Sequence, residues 1–317
     1  MGSKRRSAAA DYAVYLAVRG VVCVIQALPM WLAFALAGGL AKLAYLIDKR
    51  HRKVAAENLA FAFPEKSAAE VDELVRACYR HCMKQVIEMV LLPRKFHVGT
   101  WRKYGQTING AGILGAMLDP RPVLVVTAHF GNWELAGFAM GVFGFRTYAI
   151  ARVLDNPHLE RFLKKFREKT GQMILDKNLD FPRIEAVLRD GGKVATLGDQ
   201  DAGPKGVFVD FFNRPASAHR AVAILAMAHD ALMMVVGVPR IGDRFYFHIQ
   251  CEEVIDPRDY KTDRDPVRAI TQRYHDALAR MIRQHPEQYF WLHRRWKTQP
   301  TVRKKKGVPP NPSEPEA

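Results

Sequence analysis

Val123-Leu124-Val125-Val126-Thr127-Ala128-His129-Phe130-Gly131-Asn132-Trp133-Glu134 is the stretch that decides the fold. Its first six residues are a short apolar run of the kind that forms a strand buried on both faces. Leu135 to Phe143 follows as an amphipathic segment. The change of period places His129 and Glu134 in a strand-to-helix turn, where Gly131 permits a sharp bend and Asn132 can cap the helix. In open α/β sheets, ligands bind beyond the carboxyl ends of strands. A His there, with a carboxylate one turn away holding one ring nitrogen, is placed to act as a general base through the other. His-x-x-x-x-Glu alone is a weak pattern. His129 could equally bond a backbone carbonyl, and Glu134 could simply favour the positive end of the helix.

Around this stretch the pattern is that of an α/β domain. Ser67 to Leu92 reads as a long helix, with Ser67 and Glu70 forming a capping box. Arg121 to Ala128, Arg146 to Arg152, Lys193 to Gly198 and Ala231 to Val238 read as strands; Pro157 to Thr170, Phe181 to Arg189 and Ala218 to Ala228 read as helices between them. This alternation predicts a largely parallel or mixed sheet flanked by helices. Arg244 to Gln250 alternates aromatic and polar residues, as an antiparallel edge strand does. Asp265 to Gln284 is a late helix.

Tyr12 to about Ile47 is apolar, broken by Arg19, Pro29 and Lys42. It has no convincing small-residue cleavage site, which argues against a signal peptide. Ala27 to Ala41, extended on either side, approaches spanning length. Alternatively Pro29 divides the region into two helices that lie in or dip into one leaflet, and a third reading is a buried hairpin. Lys49-Arg50-His51-Arg52-Lys53 follows at once, and a basic cluster beside an apolar segment suits an anionic membrane face. The expected organisation is therefore an N-terminal membrane-associating helical segment (1–48), a catalytic domain (49–298) and a basic, proline-rich disordered tail (299–317).

The 317 residues are 49% hydrophobic, enough for a large core, and carry a formal net charge of +16. Such a charge favours anionic partners. Nucleic acid is set aside because no zinc-finger, RNA-recognition or basic-zipper pattern is present; an anionic membrane or an acidic carrier protein fits. Cys23, Cys78, Cys82 and Cys251 do not have metal-ligand spacing, and Cys78 and Cys82 share a helix face as core residues do.

Two further strand ends bear on chemistry. Arg152 can bind a phosphate or carboxylate bidentately, or pair with Asp155 at the surface. Asp199-Gln200-Asp201 is followed by Gly203-Pro204-Lys205-Gly206. Asp199, if buried, could orient either His129 or Arg152, and Lys205 could face a phosphate; a tight turn that needs Asp and Gly is the plainer alternative. Two carboxylates do not make a metal site. His129 and Glu134 stand as catalytic candidates. Arg152, Asn156, Asp199, Gln200, Lys205, Arg294 and Arg295 stand as candidates for substrate binding. Phe208, Phe211 and Phe212 are apolar residues that could wall a ligand cavity, though core packing is their commoner role.

With these blocks in order, the chain resembles the lipid A late acyltransferases, within the wider group of His-x-x-x-x-Asp/Glu glycerolipid acyltransferases. Arg52 to Ala55 through Asn58-Leu59 to Phe63-Pro64-Glu65 is similar to the family's early signature. His129 to Glu134 is similar to its catalytic block. Arg152-Val153-Leu154-Asp155-Asn156-Pro157 resembles its second block, with Val153 in place of a usual proline. Gly198 to Gly206 resembles the third, and Gln288-Tyr289-Phe290-Trp291-Leu292-His293-Arg294-Arg295-Trp296-Lys297 the last. The resemblance spans about residues 28–297. It implies transfer of a fatty acyl group from a thioester, on acyl carrier protein or alternatively CoA, to a hydroxyl of an anionic glycolipid such as a lipid A precursor. It implies no metal and no cofactor, and a place at the cytoplasmic face of the inner membrane. A different glycolipid or aminolipid acceptor, a hydrolase, or a catalytically silent lipid-binding protein are the alternatives. No Gly-x-Ser-x-Gly elbow is present, which weakens a serine esterase.

Overall fold

The computed structural model of the protein describes residues 7–176 and 180–300. Four helices come first: α1 (Ala8–Ala27), α2 (Met30–Ile47), α3 (Lys49–Ala62) and α4 (Ala68–Lys95). Then come α5 (Trp101–Tyr104), β1 (Gly105–Ile108), α6 (Gly110–Leu118), β2 (Val123–Thr127), α7 (Trp133–Val142), β3 (Thr147–Ala151), α8 (Pro157–Glu168) and β4 (Gln172–Asp176). The rest is α9 (Phe181–Arg189), β5 (Lys193–Leu197), a hairpin of β6 (Val207–Asp210) and β7 (Pro215–Ala218), α10 (Arg220–Ala228), β8 (Leu232–Gly237), β9 (Phe247–Ile255) and α11 (Pro266–Gln284).

The sheet is mixed and seven-stranded, in the order β1-β9-β8-β2-β5-β3-β4. The run from β8 to β4 is parallel; β9 is antiparallel to β8, and β1 is parallel to β9. All five residues of β2 are buried, because side chains alternate across a sheet covered on both sides. Leu124 and Val126 join a core formed with α9, α10 and α11, whereas Val123 and Val125 join one formed with α6 and α7. The α/β class with flanking helices is thus the observed architecture. One expectation needs correcting: the strand expected at Arg244 starts at Phe247, runs to Ile255, and is not an edge. β1 covers it, a four-residue strand too short to show a period.

Helix α4 carries the expected capping box: Ser67 and Glu70 each bond the other's backbone N–H. Its first half, Val71 to Tyr79, packs in one core, and Ile87 to Leu92 packs in the other, so the helix bridges both faces at one end of the sheet. Helix α2 lies against it through Ala33, Ala37, Ala41 and Tyr45. Small residues every fourth position let two helices approach closely. The opposite side of α2 exposes Trp31, Leu36, Leu40, Leu43 and Ile47. Helix α1 buries no residue and exposes Val14, Leu16, Val21 and Val24. Both helices are long and apolar enough to cross a membrane by length and composition. Pro29 does divide the region, and the first helix extends back to Ala8. From residue 301 onward, the expected tail lies outside the described residues.

Candidate active site

Register assembles the site. β2 and β5 are parallel neighbours with Thr127 opposite Leu197. Continuing the register two residues past both strand ends sets His129 beside Asp199. The Asp199 carboxylate accepts the His129 backbone N–H at 3.1 Å through Oδ2 and the ring Nδ1–H at 2.9 Å through Oδ1. Nδ1 is therefore the protonated nitrogen, and Nε2 is left as the acceptor. Gln200 Nε2–H donates to that unprotonated nitrogen at 3.4 Å. Trp133 meets the imidazole edge-on at 5.1 Å, and Phe290 lies at 6.2 Å.

The surroundings tune the dyad. Burial disfavours the imidazolium, but the charge and hydrogen bond of Asp199, with the charge of Glu134, outweigh it and hold His129 above the ordinary imidazole value. Burial pushes the Asp199 carboxyl up, but His129 and the charge of Arg295 bring it below the usual carboxylate range.

Glu134 occupies a different position from the one its spacing suggested. It lies in the first turn of α7, and its two oxygens are taken by Arg167 of α8, at 3.0 Å through Nε and 2.6 Å through Nη2. The ring nitrogen is held by Asp199, which sequence reasoning had left open between His129 and Arg152. Glu134 acts on His129 through charge.

The turn is built tightly. Gly131 has φ +57°, and a Cβ there would meet the Val238 carbonyl oxygen at 2.3 Å. Its N–H bonds Gln288 O, and Asn132 N–H bonds Val238 O at 2.7 Å. Asn132 caps α7 by accepting Leu135 N–H, and its amide donates to Glu88 of α4. Glu88 is also paired with Arg240, Arg240 donates to His81 Nδ1, and His81 Nε2 bonds Gly131 O at 3.2 Å. Burial pushes His81 down to about 3, so it is neutral. Sequence reasoning missed this cluster, since its members lie up to 159 residues apart. Glu88→Ala leaves Arg240 as a buried unpaired charge and is expected to cost about 3–5 kcal/mol. Denaturant unfolding of the two proteins checks this, and a loss under about 1 kcal/mol would contradict it.

The C-terminal block crosses the same turn. Tyr289 bridges Phe130, Phe290 N–H bonds His129 O, and Asn58 from α3 donates to Trp291 O and His293 O. Arg295 is 1% exposed and faces the core, so its expected role at a lipid headgroup is withdrawn. Arg294 is exposed and lines a cleft with Phe61, Arg214, Trp296 and Lys297. Asn156 is also buried: its carbonyl caps α8, and its amide donates to the backbone of Asp11 in α1. That contact ties the apolar N-terminal helix to the domain rather than presenting Asn156 to a ligand. Arg152 follows β3, one strand beyond the dyad; it is exposed and pairs with Asp155 at 3.2 Å. Lys205 is exposed in the short 3-10 turn. Asp201 accepts from Gly203 and Thr298, so it fastens the segment that follows the C-terminal block. Phe211 and Phe212 pack against Phe63, Tyr289, Trp291 and Trp296, not around a cavity. No grouping of three or more metal-ligating side chains occurs among the described residues.

A crevice does lie elsewhere. It runs between α7 and the sheet, past Val125, Ala149, Ala195 and Met140, and on the helix side the Gln172 side chain packs against Gly137. Thr127, Trp133 and Leu197, next to the dyad, line one part of it, and Glu134 and Arg167 another.

The family model described as "Bacterial lipid A biosynthesis acyltransferase" matches residues 1–298. The chain is 28% identical over 298 residues to the lipid A biosynthesis lauroyltransferase of Escherichia coli, covering 92% of each. It is 27% identical over 256 residues to the palmitoleoyltransferase of the same organism, covering 80% of each. It is also 27% identical over 246 residues to a phosphatidylinositol mannoside acyltransferase of Mycobacterium tuberculosis, covering 76% of this chain and 75% of that one. With the family model matching nearly the whole chain, the protein belongs to the bacterial lipid A biosynthesis acyltransferases.

Proposed function

We propose that the protein transfers a fatty acyl group from an acyl thioester to a hydroxyl of a lipid A precursor or related anionic glycolipid. The observation that carries this reading is the His129–Asp199 pair at the strand ends, with Nε2 unprotonated and the neighbouring Thr127, Trp133 and Leu197 lining an apolar crevice. His129 Nε2 takes the proton of the acceptor hydroxyl as its oxygen attacks the thioester carbonyl. Asp199 holds the tautomer and balances the imidazolium. The tetrahedral intermediate then expels the thiolate, which takes the proton from His129 and leaves as the thiol. A thiolate leaves readily, so the step needs no covalent acyl-enzyme. The Gln200 amide gives up its bond to Nε2 as that nitrogen takes the proton, and then donates to the developing oxyanion. Glu134 serves by holding the Arg167 cation at the crevice.

The crevice between α7 and the sheet takes the acyl chain, since its lining is mostly apolar. The donor is an acyl carrier protein thioester, whose acidity suits a chain of net charge +16; acyl-CoA is the second candidate. The exposed apolar faces of α1 and α2 attach the domain to the inner membrane, with the catalytic side toward the cytoplasm, where the lipid acceptor resides. Mass spectrometry of lipids from cells with and without the protein tests the reading. A glycolipid lacking one ester-linked acyl chain in the deletion is expected. Loss confined to a lipid without sugar, or no lipid change, would overturn it.

A further inference from the structure

We propose that the cleft between the start of α2, α5 and the β8–β9 connection holds one anionic phospholipid of the surrounding bilayer, apart from the reacting lipids. The inference rests on the reading that α1 and α2 attach the domain to a membrane, and it adds a site for a lipid that is not a substrate.

The cleft has a volume of about 720 Å³, within the range of ligand sites. Met30, Trp31 and Phe34 line it from α2, Tyr104 from α5, and Phe245 and Tyr246 from the β8–β9 connection. Tyr104 meets Phe245 edge to face at 5.4 Å, and Phe245 meets Phe247 of β9 at 5.1 Å. Phe245 and Phe247 are buried, so the aromatic lining is fixed to the core. Trp31 is 72% exposed and is the first of the exposed apolar residues of α2. The cleft therefore opens beside the apolar face that a bilayer would cover. Apolar clefts of this kind on a protein surface mark binding sites.

Charge narrows the occupant. Three charged side chains line the cleft: Lys103, Asp243 and Arg244. Asp243 is taken by Lys84 of α4 at 2.7 Å, and the same ammonium lies 5.4 Å from the centre of the Phe34 ring. Lys103 and Arg244 are exposed, and among the described residues neither forms an ion pair. A free phosphate would meet these two cations but leave the aromatic lining in water. An uncharged lipid would cover the rings and leave the cations unpaired, and a zwitterionic headgroup would bring its own ammonium to them. A phospholipid of net negative charge satisfies both parts. Its phosphate lies at Lys103 and Arg244, the rings sit at headgroup depth, and its acyl chains run over Trp31 along the exposed side of α2. The cleft shares no lining residue with the crevice beside the dyad, so the lipid is held away from the reaction.

Native mass spectrometry of the full-length protein, released from a neutral detergent with phosphatidylglycerol added, tests the site. Wild type is expected to retain one phosphatidylglycerol. Lys103→Gln combined with Arg244→Gln should bind it at least about tenfold more weakly, since two charge-assisted contacts are lost. Arg264→Gln combined with Arg268→Gln removes the same charge from exposed positions elsewhere and should bind as wild type does. Phosphatidylcholine, and glycerol phosphate, which lacks the chains, should compete poorly. All four replaced side chains are exposed, and a thermal melt confirms that each variant is folded. No retained lipid on wild type, equal weakening in both double variants, or equal competition by phosphatidylcholine or glycerol phosphate overturns the proposal. Full displacement by an equimolar lipid A precursor overturns it too, because the cleft would then belong to the acceptor. The measurement is made in detergent and needs no vesicle, so its failure is distinct from that of the membrane reading, which co-sedimentation with vesicles tests.

Discussion

Replacing His129 with alanine is expected to lower acyl transfer by about two to four orders of magnitude while the protein keeps its fold. The imidazole is the group whose unprotonated nitrogen can take a proton, and its side chain is only 19% exposed. Its loss removes the base without removing a core contact, because the rings around it, Trp133 and Phe290, are themselves half-buried. Single-turnover transfer of a labelled acyl group, with a thermal melt of the same sample, checks this. Turnover within a factor of a few of wild type would take His129 out of the reaction.

The second large effect belongs to Asp199 and separates it from Glu134. Asp199→Asn is expected to lower kcat by about 10³- to 10⁴-fold, because an amide facing Nδ1 favours the wrong tautomer and cannot balance the imidazolium. It also removes the main influence that raises His129, so what activity remains should persist to lower pH. In wild type, kcat/KM should rise with pH on an acid limb lying above the ordinary imidazole pKa of about 6.5. Glu134→Gln also removes a negative charge near His129, so the acid limb should move down, but the Nδ1–Asp199 bond is untouched. Its loss of activity comes through Arg167, which is left without its bidentate partner. pH–rate profiles of the three proteins distinguish these roles. An acid limb in Asp199→Asn that coincides with wild type would contradict the dyad.

Part of this was legible in the residues and part was not, for reasons that can be named. The apolar run at Val123 and the glycine and asparagine at 131 and 132 announce a strand, a turn and a capped helix, because those signals are local. Asp199 was legible as a strand-end carboxylate, but its partner was not. Which strand lies beside β2 is a matter of sheet order, and β5 sits between β2 and β3. β5 neighbours both, and the register beyond its end sets Asp199 beside His129, while Arg152 turns to solvent. Glu134 shows the limit of spacing: five residues along a turn place it near His129 in charge but not in contact. Arg294 and Arg295 show the limit of composition. They lie in irregular chain, where no period tells which faces inward, and the structure turns one to solvent and the other into the core. The Glu88–Arg240–His81 cluster had no sequence signal, as each member alone reads as a surface charge on a helix or loop.

The central claim is that His129, held by Asp199, moves an acyl group from a thioester to a glycolipid hydroxyl. The most direct measurement incubates the purified protein with an acyl carrier protein thioester labelled in the acyl chain and a lipid A precursor, in parallel with His129→Ala. The account predicts label in the glycolipid and free carrier thiol in equal amounts with wild type, and neither with the variant. Label released as free fatty acid, or transferred equally by the variant, would contradict it.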